Sequence, residues 1–282
     1  MNVRTVTILG AGTMGHGIAH AAAAAGFETR LYDVADAALA AARTQISRVL
    51  EKSVELGKAV SADVDATLGR LTTTVDIAGA LDGTDFVIEA APERMDLKLA
   101  LFADIERHAP PGAVVTTNTS ALSITELAGS LATPSRVAGM HFFNPVHKMK
   151  LIEIIRALES STETLDAVEM VSKRMGKETV VVRESPGFIT TRVNASIGNE
   201  AFYMLMEGVA SARDIDKALK LGLNHPMGPF ELVDLVGLDT RLSILEYLHR
   251  SLGEKYRPCP LLAQYVKAGR LGRKAGKGVY DY

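Results

Sequence analysis

Residues 5–33 read TVTILGAGTMGHGIAHAAAAAGFETRLYD, and this stretch decides the fold of the first half of the chain. TVTIL is a short apolar run typical of a buried strand, the alanine-rich segment 14–25 favours a helix, and ETRLYD is typical of a second strand. A glycine-rich turn joins the first strand to the helix. A strand, a turn, a helix and a second strand are the opening unit of a parallel sheet.

The alternation of strands and helices continues to about residue 183. Further strands are predicted in DFVIEA (85–90), AVVTTN (113–118), RVAGMHFF (136–143), LIEII (151–155) and ETVVVR (178–183). Helical periodicity covers 35–55 and 97–108. We therefore predict an α/β fold with an N-terminal Rossmann-type, doubly wound, mostly parallel sheet that helices cover on both faces.

The pattern changes at RESPGF (183–188), where Pro186 and Gly187 interrupt it. Beyond this point the periodicity is helical, over 188–207, 214–220, 230–236, 238–252 and 261–268. The Gly- and Lys-rich tail GRLGRKAGKGVYDY (269–282) is predicted to be a loop. We predict two domains, the sheet domain over residues 1–185 and an all-helical domain over residues 186–282.

The composition is that of an ordinary globular protein, with 282 residues, 47% apolar residues, 23% charged residues and a net charge of −2. Lys and Arg are scattered, so no nucleic-acid partner is expected, and no apolar run approaches the roughly 18 residues needed to span a bilayer. The single cysteine, Cys259, excludes an intrachain disulfide and fits a reducing compartment. The N-terminus enters a strand without the apolar region of a signal peptide. We predict a cytoplasmic protein without membrane contact and without a bound metal.

The turn Gly10-Ala11-Gly12-Thr13-Met14-Gly15 fits the pattern G-x-G-x-x-G and lies between a strand and a helix. In this pattern Gly10 permits the tight turn, Gly12 lets the backbone approach a pyrophosphate, and Gly15 lets helix and strand pack closely. The helix N-terminus then presents unpaired N–H groups and the positive end of the helix dipole to the phosphates. The whole turn is predicted to bind a dinucleotide.

Asp33 ends the second strand about 20 residues after the turn, where a carboxylate can bind the hydroxyls of the adenosine ribose. A carboxylate at this point would repel a 2′-phosphate. The predicted cofactor is therefore NAD rather than NADP.

Polar side chains cluster where further strands end, at the sheet edge that binds ligands in open α/β sheets. Asn118 and Ser120 follow AVVTT, and His141 and Asn144 are placed just after RVAGM. A nicotinamide enzyme that oxidises an alcohol needs a base, for which histidine is suited, and hydroxyls or amides that polarise the carbonyl. Glu153 lies in the apolar run LIEII, and a buried acid must pair or change its pKa. His141 is predicted to be its partner.

The motifs GAGTMG, VIEAAPE, NTSALSI, HFFNPVHKMKLIEII, SPGF, NHPMGPFELVDLVGLD and GRKAGKGVYDY occur in this order along the chain. Together they closely resemble the 3-hydroxyacyl-CoA dehydrogenases, over essentially the whole length. The resemblance implies hydride transfer between NAD and the C3 carbon of a (3S)-hydroxyacyl-CoA, and a homodimer built through the helical domain.

The resemblance also implies roles for single residues. His141 would be the base, and Glu153 would orient it and stabilise its protonated form. Ser120 would donate a hydrogen bond to the 3-oxygen of the substrate and help to place the nicotinamide. His147, beyond Pro145, is better interpreted as a solvated loop residue.

Further cofactor contacts follow from the same resemblance, at Glu93, Lys98, Asn144 and Lys274, and Asn118 is placed with them at its strand end. Asn144 is predicted to contact the substrate as well. Without the resemblance, a solvated helix start is the preferred interpretation of Glu93 and Lys98. For Lys274, a solvated loop charge and a cofactor contact are about equally good interpretations.

The chain departs from the family pattern at Thr191. The family follows PGF with two apolar residues and Asn-Arg, and that asparagine belongs to the active site, whereas this chain reads PGFITTR. Thr191 has a hydroxyl but a shorter reach, and we predict that it polarises the substrate carbonyl directly or through water. Asn194 lies one turn further on the same helix face and is the alternative source of an amide.

The phosphates of coenzyme A require cations. Arg43, Arg48, Lys52 and Lys58 lie on or after the helix 35–55, and Arg48 and Lys52 are assigned to the substrate site. A solvated helix face explains the same charges and is the more common case.

Two other functions remain open from the sequence. One is a related dehydrogenase that acts on a free hydroxy acid or a sugar acid, of the gulonate type. The other is a non-catalytic NAD-binding protein, against which the joint presence of His141, Glu153 and Ser120 argues. Acyl chain length and pathway are not encoded in these motifs.

Overall fold

The computed structural model describes residues 2–282. The chain forms two compact units, Met1–Glu184 and Ser185–Tyr282. The first unit is a mostly parallel sheet with helices, and the second unit is built from helices. This architecture confirms the predicted fold class.

Within the described residues the first unit contains an eight-stranded sheet in the order β3-β2-β1-β4-β5-β6-β7-β8. The strands are β1 Thr5–Leu9, β2 Glu28–Tyr32, β3 Leu71–Thr74, β4 Phe86–Glu89, β5 Val114–Thr117, β6 Val137–Phe142, β7 Leu151–Arg156 and β8 Glu178–Arg183.

The first six strands are parallel, β7 runs antiparallel to β6, and β8 runs parallel to β7. From β1 the chain adds β2 and β3 on one side and then β4 on the other, so the strand order reverses between β1 and β4. Such a reversal opens a crevice at the carboxyl ends of the strands, where ligands of open α/β sheets bind.

Seven helices accompany this sheet. They are α1 Thr13–Ala24, α2 Asp36–Glu55, α3 Ser61–Gly69, α4 Ile77–Leu81, α5 Met95–His108, α6 Ile124–Ala128 and α7 Thr162–Arg174 among the described residues. The buried faces of α1, α2 and α7 pack with β1, β2, β4 and β6 in one continuous apolar core.

The sequence analysis did not predict β3 or the helices α3, α4, α6 and α7. β3 reads LTTT, and only its leucine is buried, so it lacks the apolar alternation of a predicted strand. In α7, hydroxyl and small residues occupy half of the buried face beside Leu165, Val168 and Val171, which weakens the helical periodicity. Ser161 caps this helix by accepting a hydrogen bond from the N–H of Thr164.

The second unit contains α8 Thr190–Met206, α9 Ala212–Gly222, α10 Pro229–Val236, α11 Leu238–Leu252 and α12 Pro260–Lys267. Its core includes Phe202, Phe230, Leu245 and Cys259, all fully buried. α8 begins later than predicted because the preceding Gly187 and Phe188 have φ of +73° and +51°, which a right-handed helix does not allow. No helix between residues 2 and 282 is long and apolar enough to cross a membrane.

His20 of α1 lies in an electropositive environment inside the first unit. Its ring centroid is 6.4 Å from that of His147, and the nearby Lys177 ammonium donates hydrogen bonds to the carbonyls of Val146 (2.5 Å) and Met149 (2.8 Å). Burial, followed by the charges of His147, His16 and Lys177, lowers the pKa of His20 from 6.5 to about 4. The folded protein therefore binds this proton more weakly than the unfolded chain does.

The contribution of neutral His20 to stability is complete above pH 6.5 and is lost as the pH falls from 6.5 towards 4. We expect wild type to lose about 2 to 3 kcal/mol of unfolding free energy through this group over that range. A His20→Gln variant should lose correspondingly less on acidification, as measured by urea unfolding near pH 7.5 and pH 4.5. If wild type and His20→Gln lose the same unfolding free energy between pH 7.5 and pH 4.5, His20 is not the cause of the pH dependence.

Candidate active site

The glycine-rich turn is tightly packed at its two ends and open in its middle. A Cβ at Gly10, which has a φ of +106°, would lie 2.8 Å from the carbonyl oxygen of Ala90, and a Cβ at Gly15 would lie 1.7 Å from that of Gly10. A Cβ at Gly12 would meet nothing within 4 Å. The space above Gly12 and the absence of a side-chain cap on α1 fit a pyrophosphate at this helix N-terminus.

Asp33, directly after β2, is fixed beside this turn. Its Oδ2 accepts a hydrogen bond from the N–H of Ala11 at 2.8 Å, and its Oδ1 accepts one from the N–H of Ala35 at 3.1 Å. The structure therefore brings together the turn, which includes Thr13 and Met14 at the start of α1, and the carboxylate expected to bind the ribose.

His141 and Glu153 are cross-strand neighbours in the antiparallel ladder between β6 and β7. The Nδ1 of His141 lies 2.8 Å from Oε2 of Glu153, and the two residues are 6% and 0% exposed. The strand predicted over 136–143 does include His141, and the other expectation, that His141 lies just after the strand, is wrong because β6 pairs with β7 through Phe142. The ring of Phe143 packs against the imidazole, with centroids 4.6 Å apart.

With Glu153 ionised, this contact determines the tautomer of His141. An ionised carboxylate only accepts hydrogen bonds, so Nδ1 then carries the proton and donates it to Glu153. In the neutral imidazole the lone pair then lies on Nε2, which is the nitrogen able to accept a proton.

Asn118, directly after β5, secures the end of β6. Its side-chain oxygen accepts a hydrogen bond from the N–H of Phe142 at 2.8 Å. The residue next to His141 is therefore tied to the neighbouring strand end. Asn144 lies two residues beyond β6 and is exposed.

Ser120 and Glu93 are in direct contact. Oε1 of Glu93 accepts hydrogen bonds from the N–H of Ser120 at 2.9 Å and from its hydroxyl at 3.2 Å. The hydroxyl of Thr119 (2.7 Å) and the N–H of Ala121 (3.2 Å) donate to the same oxygen. One carboxylate thus holds the loop that carries Ser120.

Lys98 of α5 is buried, with 1% of its surface exposed. Its ammonium group donates hydrogen bonds to both oxygens of Glu89, at 2.7 and 2.9 Å, and lies 3.6 Å from Oε2 of Glu93. A solvated helix start therefore does not describe Lys98, whereas the side chain of Glu93 is 40% exposed.

The remaining predicted residues lie apart from this cluster or in the second unit. Arg48 and Lys52 are exposed on α2, where Lys52 forms a surface ion pair with Glu55 at 2.8 Å. In the second unit, Thr191 and Asn194 are half-buried in the first turns of α8. Lys274 forms an ion pair with Asp239 at 2.7 Å, and both side chains are about half exposed.

The sequence analysis did not assign a role to Glu89, which is fully buried at the end of β4. Glu89 could have been recognised by the same sequence feature that singled out Glu153, an acidic residue in an otherwise apolar strand. Within residues 2–282 no group of three or more His, Cys, Asp or Glu side chains is arranged to hold a metal ion.

Comparison with protein families gives two matches that together cover nearly the whole chain. Residues 5–185 match the 3-hydroxyacyl-CoA dehydrogenase NAD-binding domain, and residues 187–282 match the 3-hydroxyacyl-CoA dehydrogenase C-terminal domain.

Individual relatives are similar over the full length. A probable 3-hydroxybutyryl-CoA dehydrogenase of Bacillus subtilis is 47% identical, with 100% of this chain and 98% of the relative aligned. A 3-hydroxyadipyl-CoA dehydrogenase of Escherichia coli is 42% identical over 100% of this chain, which spans 60% of that protein. The crystal structure of a (S)-3-hydroxybutyryl-CoA dehydrogenase from Ralstonia eutropha matches with a TM-score of 0.96 at 43% identity, covering 100% of this chain and 99% of that chain.

Proposed function

We propose that this chain, which belongs to the 3-hydroxyacyl-CoA dehydrogenase family, oxidises a short-chain (3S)-hydroxyacyl-CoA with His141 as the base. The reaction class is the reversible, NAD-dependent oxidation of a 3-hydroxyacyl-CoA to the 3-ketoacyl-CoA. The observation that supports the role of His141 is its buried contact with Glu153 at 2.8 Å, which leaves the lone pair on Nε2.

In the oxidation, Nε2 of His141 takes the proton of the 3-hydroxyl group as hydride leaves C3. Bound NAD supplies the acceptor for that hydride. The proton turns the imidazole into a cation, which the buried carboxylate of Glu153 stabilises through its charge and its hydrogen bond. In the reverse direction the same imidazolium returns the proton to the 3-oxygen.

With substrate bound, the hydroxyl of Ser120 turns its single proton from Glu93 to the 3-oxygen as the carbonyl forms, and Thr191 contributes a second hydroxyl. The loop stays on Glu93 through the hydroxyl of Thr119 and the N–H groups of Ser120 and Ala121. The support for Ser120 is its position in a loop held by Glu93 at the end of β5. Thr191 replaces the family asparagine in the first turn of α8. Asn194, one turn further along the helix, is the alternative donor.

The dinucleotide is assigned to the turn Gly10–Gly15 and Asp33, whose geometry fits a pyrophosphate and a ribose. We assign the nicotinamide half to residues around the ends of β4, β5 and β6, namely Glu93, Lys98, Asn118, Ser120 and Asn144. Lys274 is added as a cofactor contact on the family resemblance alone.

The acyl-CoA is assigned to Ser120, Asn144, Thr191 and Asn194 around the thioester. Arg48 and Lys52 on the exposed face of α2 are proposed to meet the phosphates of coenzyme A. A short acyl chain is proposed because the Bacillus and Ralstonia relatives are named for 3-hydroxybutyryl-CoA.

Steady-state kinetics test this function. NADH formation is measured with 3-hydroxyacyl-CoA substrates from C4 to C16, with the matching free acids, and with NAD or NADP. We expect the highest kcat/KM for the C4 thioester with NAD. Equal rates with thioesters and free acids would favour the hydroxy-acid alternative, and no NADH from any substrate would favour a non-catalytic NAD-binding protein.

We further propose a homodimer through the second unit. Large apolar side chains are exposed on α8, on α9 and on the segments after them, at Val193, Met206, Val209, Leu221 and Leu223. Such exposure is typical of surfaces that bind another protein chain. Light scattering of the purified protein should give twice the mass of one chain, and the mass of a monomer would contradict the proposal.

A further inference from the structure

Glu89 is a fully buried carboxylate at the end of β4, and the hydride transfer proposed above gives it no role. We propose that Glu89 is a positioning residue that holds the Gly-rich turn, the end of β5 and the Glu93–Ser120 contact in the arrangement that binds the dinucleotide. This inference rests on the proposed function and adds a residue to its cofactor site.

The first link runs from Glu89 to the Gly-rich turn. Oε1 of Glu89 accepts a hydrogen bond from the N–H of Ala91 at 2.6 Å, which fixes the two residues that follow β4. These residues abut the turn so closely that a Cβ at Gly10 would lie 2.8 Å from the carbonyl oxygen of Ala90 and 3.0 Å from the nitrogen of Ala91. A shift of this backbone would therefore displace the turn.

The second link runs to β5. Thr117, the partner of Glu89 in the parallel ladder, donates its hydroxyl to Oε2 of Glu89 at 2.5 Å. The next residue, Asn118, accepts the hydrogen bond from Phe142. Glu89 thus fixes the end of β5, and Asn118 at this end binds the N–H of Phe142, the residue next to His141.

The third link runs through Lys98 to Ser120. The Lys98 ammonium binds both oxygens of Glu89, and Oε2 of Glu93 lies 3.6 Å from the same ammonium. The other oxygen of Glu93 accepts the hydrogen bonds from Ser120. Glu89 and Lys98 are both shielded from water, so the electrostatic attraction between their charges is stronger than that of an ion pair on the surface.

The position requires a carboxylate. Among the described residues, the carboxylate of Glu89 accepts hydrogen bonds from three groups, the N–H of Ala91, the hydroxyl of Thr117 and the ammonium of Lys98. A carboxylate accepts at both oxygens, whereas the NH2 group of a glutamine would point a donor at other donors. β4 also lies next to β1, where the strand order reverses and the ligand crevice opens.

Two variants and one matched control test this role through NADH affinity, measured by NADH fluorescence titration, and through the melting temperature. Glu89→Gln removes the charge, and Thr117→Val removes one hydrogen bond to it while keeping the shape. The control is Asp85→Asn, at the other end of β4, where the carboxylate accepts hydrogen bonds from the N–H groups of Arg4 (2.8 Å) and Thr5 (2.9 Å). Asp85 lies at the amino end of β4, and the cofactor crevice is at the carboxyl ends of the strands.

We expect Glu89→Gln to weaken NADH binding by about tenfold or more, and Thr117→Val by about threefold to tenfold. Asp85→Asn should lower the melting temperature but leave the dissociation constant within about twofold of wild type. If Glu89→Gln does not fold, the NADH affinity of Thr117→Val tests the proposal instead. The proposal is overturned if the folded variants bind NADH like wild type, or if Asp85→Asn weakens binding equally.

The titration needs no acyl-CoA turnover, so the two proposals fail separately. A wild-type protein that binds NADH but oxidises no 3-hydroxyacyl-CoA would contradict the proposed function. The affinities of the variants would still decide the role of Glu89.

Discussion

The His141→Ala variant is expected to lose about 10³-fold in kcat while it binds NADH as wild type does. Without the imidazole no side chain at this position takes the proton of the 3-hydroxyl group, so the alkoxide character needed for hydride departure does not develop. The binding of NADH should persist because the pyrophosphate and the ribose are assigned to the glycine-rich turn and Asp33, which the substitution leaves unchanged.

Single-turnover and steady-state rates with 3-hydroxybutyryl-CoA measure this loss. The matched control is His147→Ala, the other histidine of the same segment, which is exposed and should keep kcat within about twofold. Added imidazole should restore part of the activity of His141→Ala. It should not change the activity of His147→Ala. Equal kcat values for wild type and His141→Ala would exclude His141 as the base.

Glu153→Gln is expected to lower kcat by about 10²-fold to 10³-fold, with NADH affinity retained. The NH2 group of glutamine can donate to Nδ1, which favours the tautomer with its proton on Nε2 and so removes the lone pair from the catalytic nitrogen. The variant also removes the negative charge that stabilises the imidazolium in a site where both partners are buried.

The pH dependence of kcat and the melting temperature should be measured for this variant together with Glu178→Gln. Glu178 begins the neighbouring strand β8, is exposed, and lies opposite Leu151 in the ladder, so it tests the same chemical change at another position of the sheet. Glu178→Gln should behave as wild type. An unchanged kcat for Glu153→Gln would remove Glu153 from the mechanism and leave it as a structural partner only.

The candidate site was only partly predictable from the sequence. The choice of His141 over His147 followed from its place near a strand end and from Glu153 in an apolar run. The same reasoning applied to Glu89 would have indicated another buried partner, but the sequence does not show that its partners are Lys98 and Thr117. The contact with Lys98 depends on the position of α5 beside the end of β4, and the contact with Thr117 depends on the ladder of β4 with β5.

The sequence by itself determined the class of the fold and the place of the dinucleotide turn. Strand alternation, helical periodicity and the conformational freedom of Gly10 are local properties, so they are visible within a few residues of one another. Weak local signals explain two of the elements that were not predicted, the threonine-rich β3 and α7 with its mixed buried face.

The sequence predicted that His141 and Glu153 are partners, but only the tertiary structure shows how the polar groups are brought together. The register of β6 against β7 places His141 opposite Glu153, and the ladder of β4 with β5 places Glu89 beside Thr117. A slip of one residue in either ladder would turn these side chains to the opposite face of the sheet. Register and strand order arise from hydrogen bonding between separate strands, and the pattern within one strand does not specify which residue of its neighbour each side chain will face.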